Sequence, residues 1–131
     1  MSSYKIAVIL PSRGLMYAET FKEVLENCEP YRFEIFFAHG LPIPDCFNEP
    51  LERALKKKFT HIWFVEEDMV IPPNTLTKLL EQDEKMIACD YPLVEQPSCT
   101  IHRDPNNKAY FTGTGCLLVK YEVMKQMKQP V

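Results

Sequence analysis

The chain predicts an α/β domain whose sheet is mostly parallel and flanked by helices. Three observations carry this. Four short runs, YKIAVIL, RFEIFFA, HIWFV and KMIAC, are nearly continuous in apolar residues, as strands covered on both faces require. The stretches between them place apolar residues at helical spacing. The resulting order, β-α-β-α-β-α-β, feeds a mostly parallel sheet.

Taken in order, Tyr4 to Leu10 is a strand and PSRG (residues 11–14) a turn behind it. Tyr17 to Cys28 reads as a helix, with Phe21, Val24, Leu25 and Cys28 on one side. Arg32 to Ala38 is a second strand, closed by His39 and Gly40. LPIPDCFNEP reads as a proline-rich loop, and a helix follows over Asn48 to Lys57 with Pro50 in its first turn, where a missing N–H costs nothing. His61 to Val65 is a third strand. Pro72 and Pro73 introduce a helix over Asn74 to Gln82, and Lys85 to Cys89 is a fourth strand. Short strands over Thr100 to Arg103 and Ala109 to Thr112 flank a DPNN turn. Gly115 to Lys120 is a last strand and Tyr121 to Lys128 a short helix.

Length and composition set the outer limits. The 131 residues suit one domain over 1–131, 46% hydrophobic and 25% charged, with nothing that predicts disorder. A formal net charge of -3 argues against a non-specific nucleic-acid binder, which usually shows a basic stripe. The one dense basic run, Lys56 to Lys58, ends a helical pattern and reads as a solvated face that suits the helix dipole. Five cysteines without a C-x-x-C pair argue against a zinc knuckle and for free thiols in a reducing compartment. Cys89 and Cys116, in apolar strands, read as small core residues; Trp63 reads as core as well. The apolar stretch at the N-terminus is too short for a signal peptide, and no run approaches the ~20 residues of a membrane span. A cytoplasmic protein is expected.

The chemistry is concentrated in HIWFVEEDMVIPP. Glu66, Glu67 and Asp68 follow a buried strand directly. Acids near a helix start are favoured by its dipole, yet Pro72 and Pro73 place the helix start several residues later. Hard divalent cations take carboxylate oxygens and leave other positions to water or phosphate. In an extended segment, residues two apart face one way, so Glu66 and Asp68 are expected to converge while Glu67 points elsewhere. Ligands of such sheets bind beyond the carboxyl ends of strands, where PSRG, AHG and EEDM all fall.

HIWFVEEDMVIPPNTLTKLL resembles the metal-binding segment of the GT-A-fold glycosyltransferases, the nucleotide-diphospho-sugar transferase superfamily, in which a strand ends in a D-x-D-type motif. Its first acid here is Glu rather than Asp. IAVILPSRG resembles the first strand and nucleotide loop of that family. IPDCFNEPLERAL resembles a segment that reads A-R-N in many relatives; Asn48 matches the Asn and Phe47 replaces the Arg. FTGTGCLLVKYEVM resembles the late G-x-G strand. The resemblance runs from about Lys5 to Met124. It implies a GT-A fold lacking most of the C-terminal acceptor part, a truncated or minimal member. It implies a Mn2+ or Mg2+ ion held by Asp68, with Glu66 and Glu67 near the metal and nucleotide, and Pro11, Ser12 and Arg13 along the nucleotide. Gly113 and Gly115 would let backbone approach the sugar. The donor expected is a UDP-hexose, UDP-glucose first, with an unidentified acceptor.

Other residues carry two readings each. Arg13 is a solvated turn residue or a nucleotide contact. His39 is a plain loop histidine or a contact to the base. His102 is a strand-end surface histidine or a group for metal or diphosphate. Asp90 is a turn residue or touches sugar hydroxyls. Glu95 is a solvated loop carboxylate or the base that activates the acceptor. Two other functions stay open: a nucleotide-sugar-binding module inactive alone, and a nucleotidyltransferase, for which PSRG carries few glycines. Acceptor, stereochemistry and oligomeric state, a homo-oligomer included, are not legible.

Overall fold

The computed structural model describes residues 3–38, 40–89, 102–103, 105–106, 109–111 and 113–127, with backbone alone for 102–103 and 109–111. The first strand, β1 (Lys5–Leu10), leads through α1 (Ala18–Cys28) to β2 (Arg32–Phe37). Next come α2 (Asp45–Leu55), β3 (His61–Val65), α3 (Thr75–Glu81) and β4 (Met86–Ala88). A separate pair, β5 (His102–Arg103) and β6 (Ala109–Phe111), precedes β7 (Cys116–Lys120) and α4 (Tyr121–Gln126).

The main sheet has the order β2-β1-β3-β7-β4, and β5 pairs only with β6. Both neighbours of β1 run parallel to it. The sheet is mixed, because β7 runs antiparallel to β3 and to β4. The expected mostly parallel sheet therefore holds for the direction of four strands, while the fifth is reversed. The reversal has a local cause. β7 enters the sheet from the edge where β3 leaves it, so Gly115 passes beside Glu66 and accepts its N–H at 3.0 Å.

Alternate strand residues feed two cores, one per face. Ile6, Val8, Leu10, Trp63 and Val65 pack against α1 and α3 residues such as Val24, Cys28, Leu76 and Leu80. Ala7, Ile9, Ile62 and Phe64 pack against Leu51 and Ala54 of α2 and Met124 of α4. Burial on both faces is why these strands read as continuous apolar runs.

Three helix starts differ from the sequence expectation; α1 begins at Ala18, with Tyr17 as its N-cap. α2 begins at Asp45, three residues before Asn48, with Pro44 as its N-cap. Pro50 accordingly sits inside the helix and is buried rather than occupying the first turn. α3 begins at Thr75 because Asn74 is left-handed, at φ 64°, a conformation Asn tolerates better than most residues. No helix among the described residues is long and apolar enough to cross a membrane.

His61, at the start of β3, is 7% exposed. Its Nδ1 lies 3.0 Å from Thr60 Oγ1 and its ring meets Tyr4 edge-on at 5.4 Å. Burial, then the nearby Lys120 charge, lowers its pKa below the ordinary 6.5. Below pH 6.5 the unfolded chain takes up this proton more readily than the folded one. This contribution to stability is therefore complete above 6.5 and is lost as pH falls through the folded value. Thermal melts at about pH 7.5 and about pH 5 should show a smaller acid loss in His61→Phe than in the native chain. Equal losses would contradict the assignment.

Candidate functional site

β1 connects to β2 on one side and its other neighbour, β3, is reached from β2. The loops after β1 and β3 thus part at a switch point in strand order, where open α/β sheets form a crevice. The acidic segment leaves β3 into this crevice. α1 holds the segment's far half through a row of polar side chains. Thr20 Oγ1 donates to Met69 O at 2.7 Å, and Glu23 Oε1 accepts from Ile71 N at 3.1 Å. Asn27 Nδ2 donates to Pro72 O at 3.1 Å, while its Oδ1 accepts from Leu76 N at 3.0 Å. Asn74, the N-cap of α3, makes no side-chain cap bond. Asn27 supplies from another helix the acceptor that an N-cap would ordinarily give.

The acids do not alternate as an extended strand would. Met69 N donates to Glu66 O at 3.3 Å, closing a turn over 66–69, and side-chain alternation holds only in extended chain. Glu67, expected to point elsewhere, faces the loop after β1. Ser12 is buried, and its hydroxyl accepts from Gly14 N at 3.1 Å. Its single proton has two acceptors in reach, Leu15 O at 2.9 Å and Glu67 Oε2 at 3.0 Å. Arg13 N donates to the same carboxylate at 3.4 Å, and the Arg13 guanidinium lies 3.7 Å from Oε1. The Glu67 carbonyl accepts from Tyr17 N at 3.0 Å. One residue thereby ties both crevice loops together. Glu67→Ala should speed hydrogen exchange at the Arg13 amide about tenfold, the cost of one hydrogen bond. Glu67→Gln, whose amide oxygen still accepts, should restore most of the protection. Equal exchange in all three proteins would show that the loop stands without Glu67.

Glu66 accepts a hydrogen bond from Thr114 Oγ1 at 3.0 Å. Burial raises its pKa; Thr114 opposes this, and the Asp68 and Glu67 charges reinforce it. Glu66 and Asp68 are therefore electrostatic neighbours. Asp68 is exposed. The raised value means that Glu66 favours folding fully below pH 4.5 and loses that contribution as pH rises through its folded value. At neutral pH its charge costs stability. Glu66→Gln should raise the melting temperature by about 1–3 °C, a gain that a calorimetric scan would detect. A fall would contradict the electrostatic reading.

Arg13 is largely exposed at the crevice mouth and Pro11 is buried beneath it. Gly113 is half-buried and Gly115 buried, on the approach to β7. Asn48 lies near the start of α2, half-buried. From that helix it is Cys46, buried, that feels the charges of Arg13, Glu67 and Glu66. His39, Asp90 and Glu95 lie outside the described residues, as does the side chain of His102, which opens β5. Sequence reading missed Thr20, Glu23 and Asn27. Their signal was polar residues recurring at three and four positions on a helix whose neighbours Val24 and Cys28 are core. It also missed Thr114.

Among the described residues no group of three or more His, Cys, Asp or Glu side chains is placed to hold a metal. Glu66 and Asp68 are two carboxylates of one turn whose charges interact. Such a set fits a hard cation that takes its other oxygens from phosphate and water, and does not fit one enclosed by protein alone.

No protein-family model matches the chain, and no curated protein matches it. Solved structures do. A197 from STIV superposes with a TM-score of 0.72 at 16% identity, over 97% of this chain and 70% of that one. The 4-diphosphocytidyl-2C-methyl-D-erythritol synthase from Anaerococcus prevotii superposes with a TM-score of 0.52 at 10% identity, over 98% and 80%. At these identities the likeness is one of fold: a small α/β domain with a mixed five-stranded sheet between helices.

Proposed function

We propose that the chain is a metal-dependent glycosyltransferase of the GT-A type that uses a nucleotide-diphosphate sugar, a UDP-hexose and UDP-glucose first. The observation that carries this is an exposed Asp68 and a half-buried Glu66, near enough for their charges to interact, at the switch-point crevice where Glu67 holds the loop that presents Arg13. That is where a diphosphate has both a cation site and a guanidinium within one cleft.

Asp68 and Glu66 would hold a Mn2+ or Mg2+ ion together with the diphosphate, and such an ion would supply positive charge against the departing nucleoside diphosphate. Thr114 orients Glu66 by its hydrogen bond, and Gly115 fixes the Glu66 backbone. Arg13 adds a positive charge along the diphosphate, held in reach by Glu67. Ser12 shapes the loop from beneath.

Purified protein incubated with UDP-glucose and manganese should release UDP, with water as acceptor when no other is supplied. Release should stop when manganese is chelated. UDP binding without release would support a binding module that needs a partner chain. Neither binding nor release would reject the donor-site reading.

A further inference from the structure

The outer strand of the sheet, β4, carries beside β7 a feature the crevice does not use. The β4–β7 register ends at Ala88 opposite Leu117. One step further Cys89 faces Cys116, and Cys89 N donates to Cys116 O at 3.0 Å. Facing residues bonded in this way have Cα atoms about 5.5 Å apart, inside the ~4.4–6.8 Å that a disulfide spans. The two sulfurs are 3.4 Å apart, with the Cys116 thiol donating to Cys89 Sγ. Cys89 is half-buried and Cys116 fully buried behind it. The arrangement thus has an outer thiol that a reagent can reach and an inner one that can resolve the product. That hydrogen bond from Cys116 lowers the Cys89 pKa, and burial opposes it. The hydrogen bond to Cys89, then burial, pushes the Cys116 thiol well up, so it stays protonated until it resolves the mixed disulfide; the buried Trp63 indole N–H opposes this shift. Cys28 and Cys46 are also buried thiols, and among the described residues neither is hydrogen-bonded to a second sulfur.

We propose that Cys89 and Cys116 form a thiol–disulfide exchange site, which takes a low-molecular-weight disulfide of the glutathione class and closes to an intramolecular disulfide. The Cys89 thiolate attacks one sulfur of the small disulfide, forms a mixed disulfide and expels one thiolate. Cys116 gives its proton to that thiolate and attacks Cys89 Sγ, and the second small thiolate leaves with the proton first lost by Cys89. Two protein thiols lose two electrons and two protons, and the small disulfide gains them as two thiols. Facing strand residues hold their Cβ atoms about 4.5–5.5 Å apart, wider than the ~3.8 Å typical of a disulfide. The bond therefore forms under strain, which makes it reducible and the reaction reversible. Cys116 adjoins Gly115, whose carbonyl anchors Glu66 N, so closure pulls on the rim of the crevice. The exchange site itself does not depend on what the crevice binds.

The test is to incubate the reduced full chain with oxidised glutathione and map its peptides without reduction. The expected product has lost two hydrogens, links Cys89 to Cys116, and reverts on adding dithiothreitol. Cys116→Ser should stall as a glutathione adduct on Cys89. Cys89→Ser should slow oxidation of Cys116 at least about tenfold, since the reachable thiolate is gone. Mapping of the native chain decides the matter even if a variant fails to fold. A link from Cys89 to Cys99, a lasting glutathione adduct on the native chain, or no reaction would overturn the proposal.

Discussion

Asn27→Ala should destabilise the fold by about 1–3 kcal/mol, which for a domain of this length lowers the melting temperature by roughly 4–11 °C. Asn27 is 4% exposed and sits in the last turn of α1. Its amide bonds Glu23 O at 2.9 Å as well as Pro72 O, and its oxygen receives Leu76 N. Truncation leaves the Leu76 N–H, in a buried first turn, without its acceptor, while Pro72 O keeps the Thr75 hydroxyl at 2.7 Å as a donor. One such orphan costs about 1–3 kcal/mol. Asn27→Asp should be no milder, because it keeps the acceptor but loses both donor bonds and buries a charge. Denaturant titration measures the effect directly. A loss below about 0.5 kcal/mol would mean that water or a shifted loop replaces all three bonds.

The same ladder explains why the site was only partly legible in sequence. The strands were clear because burial on both faces leaves an unbroken apolar run, as in IAVIL and HIWFV. The carboxyl-edge placement of PSRG and EEDM followed from strand order alone. The direction of β7 did not, since GCLLVK has the same composition whichever way it runs; only the pairing with β3 reveals it. The start of α2 was hidden because IPDC carries prolines, and Pro44 proved to be a cap. The role of Glu67 was hidden for another reason. Its partners Ser12 and Arg13 lie 55 and 54 positions away, and no local pattern encodes such a contact. Asn27 reaches 49 positions to Leu76 in the same way.

Asp68→Ala carries the other large effect. Of the three acids, Glu66 is engaged by Thr114 and Glu67 by the loop after β1. Asp68 alone is exposed at the turn, with no hydrogen bond or ion pair to another described residue. It is the carboxylate whose oxygens are open to a cation from solvent. On the proposed function, removing Asp68 would take a charged ligand from a hard divalent ion that one or two carboxylates and a diphosphate would hold. The fold should be almost unaffected, because a surface substitution of this kind changes stability by less than about 0.5 kcal/mol. Manganese-dependent UDP affinity should fall at least about 100-fold, as expected for loss of a charged metal ligand. The contrast between an intact fold and a lost site separates Asp68 from Asn27, whose removal weakens both.

The most direct measurement is isothermal titration of UDP into the native chain and into Asp68→Ala, each with and without manganese. The expected result is binding to the native chain with manganese, little without it, and none detectable in Asp68→Ala under either condition. UDP binding that is indifferent to manganese and to Asp68, or absent from the native chain altogether, would contradict a nucleotide-diphosphate metal site at Glu66 and Asp68.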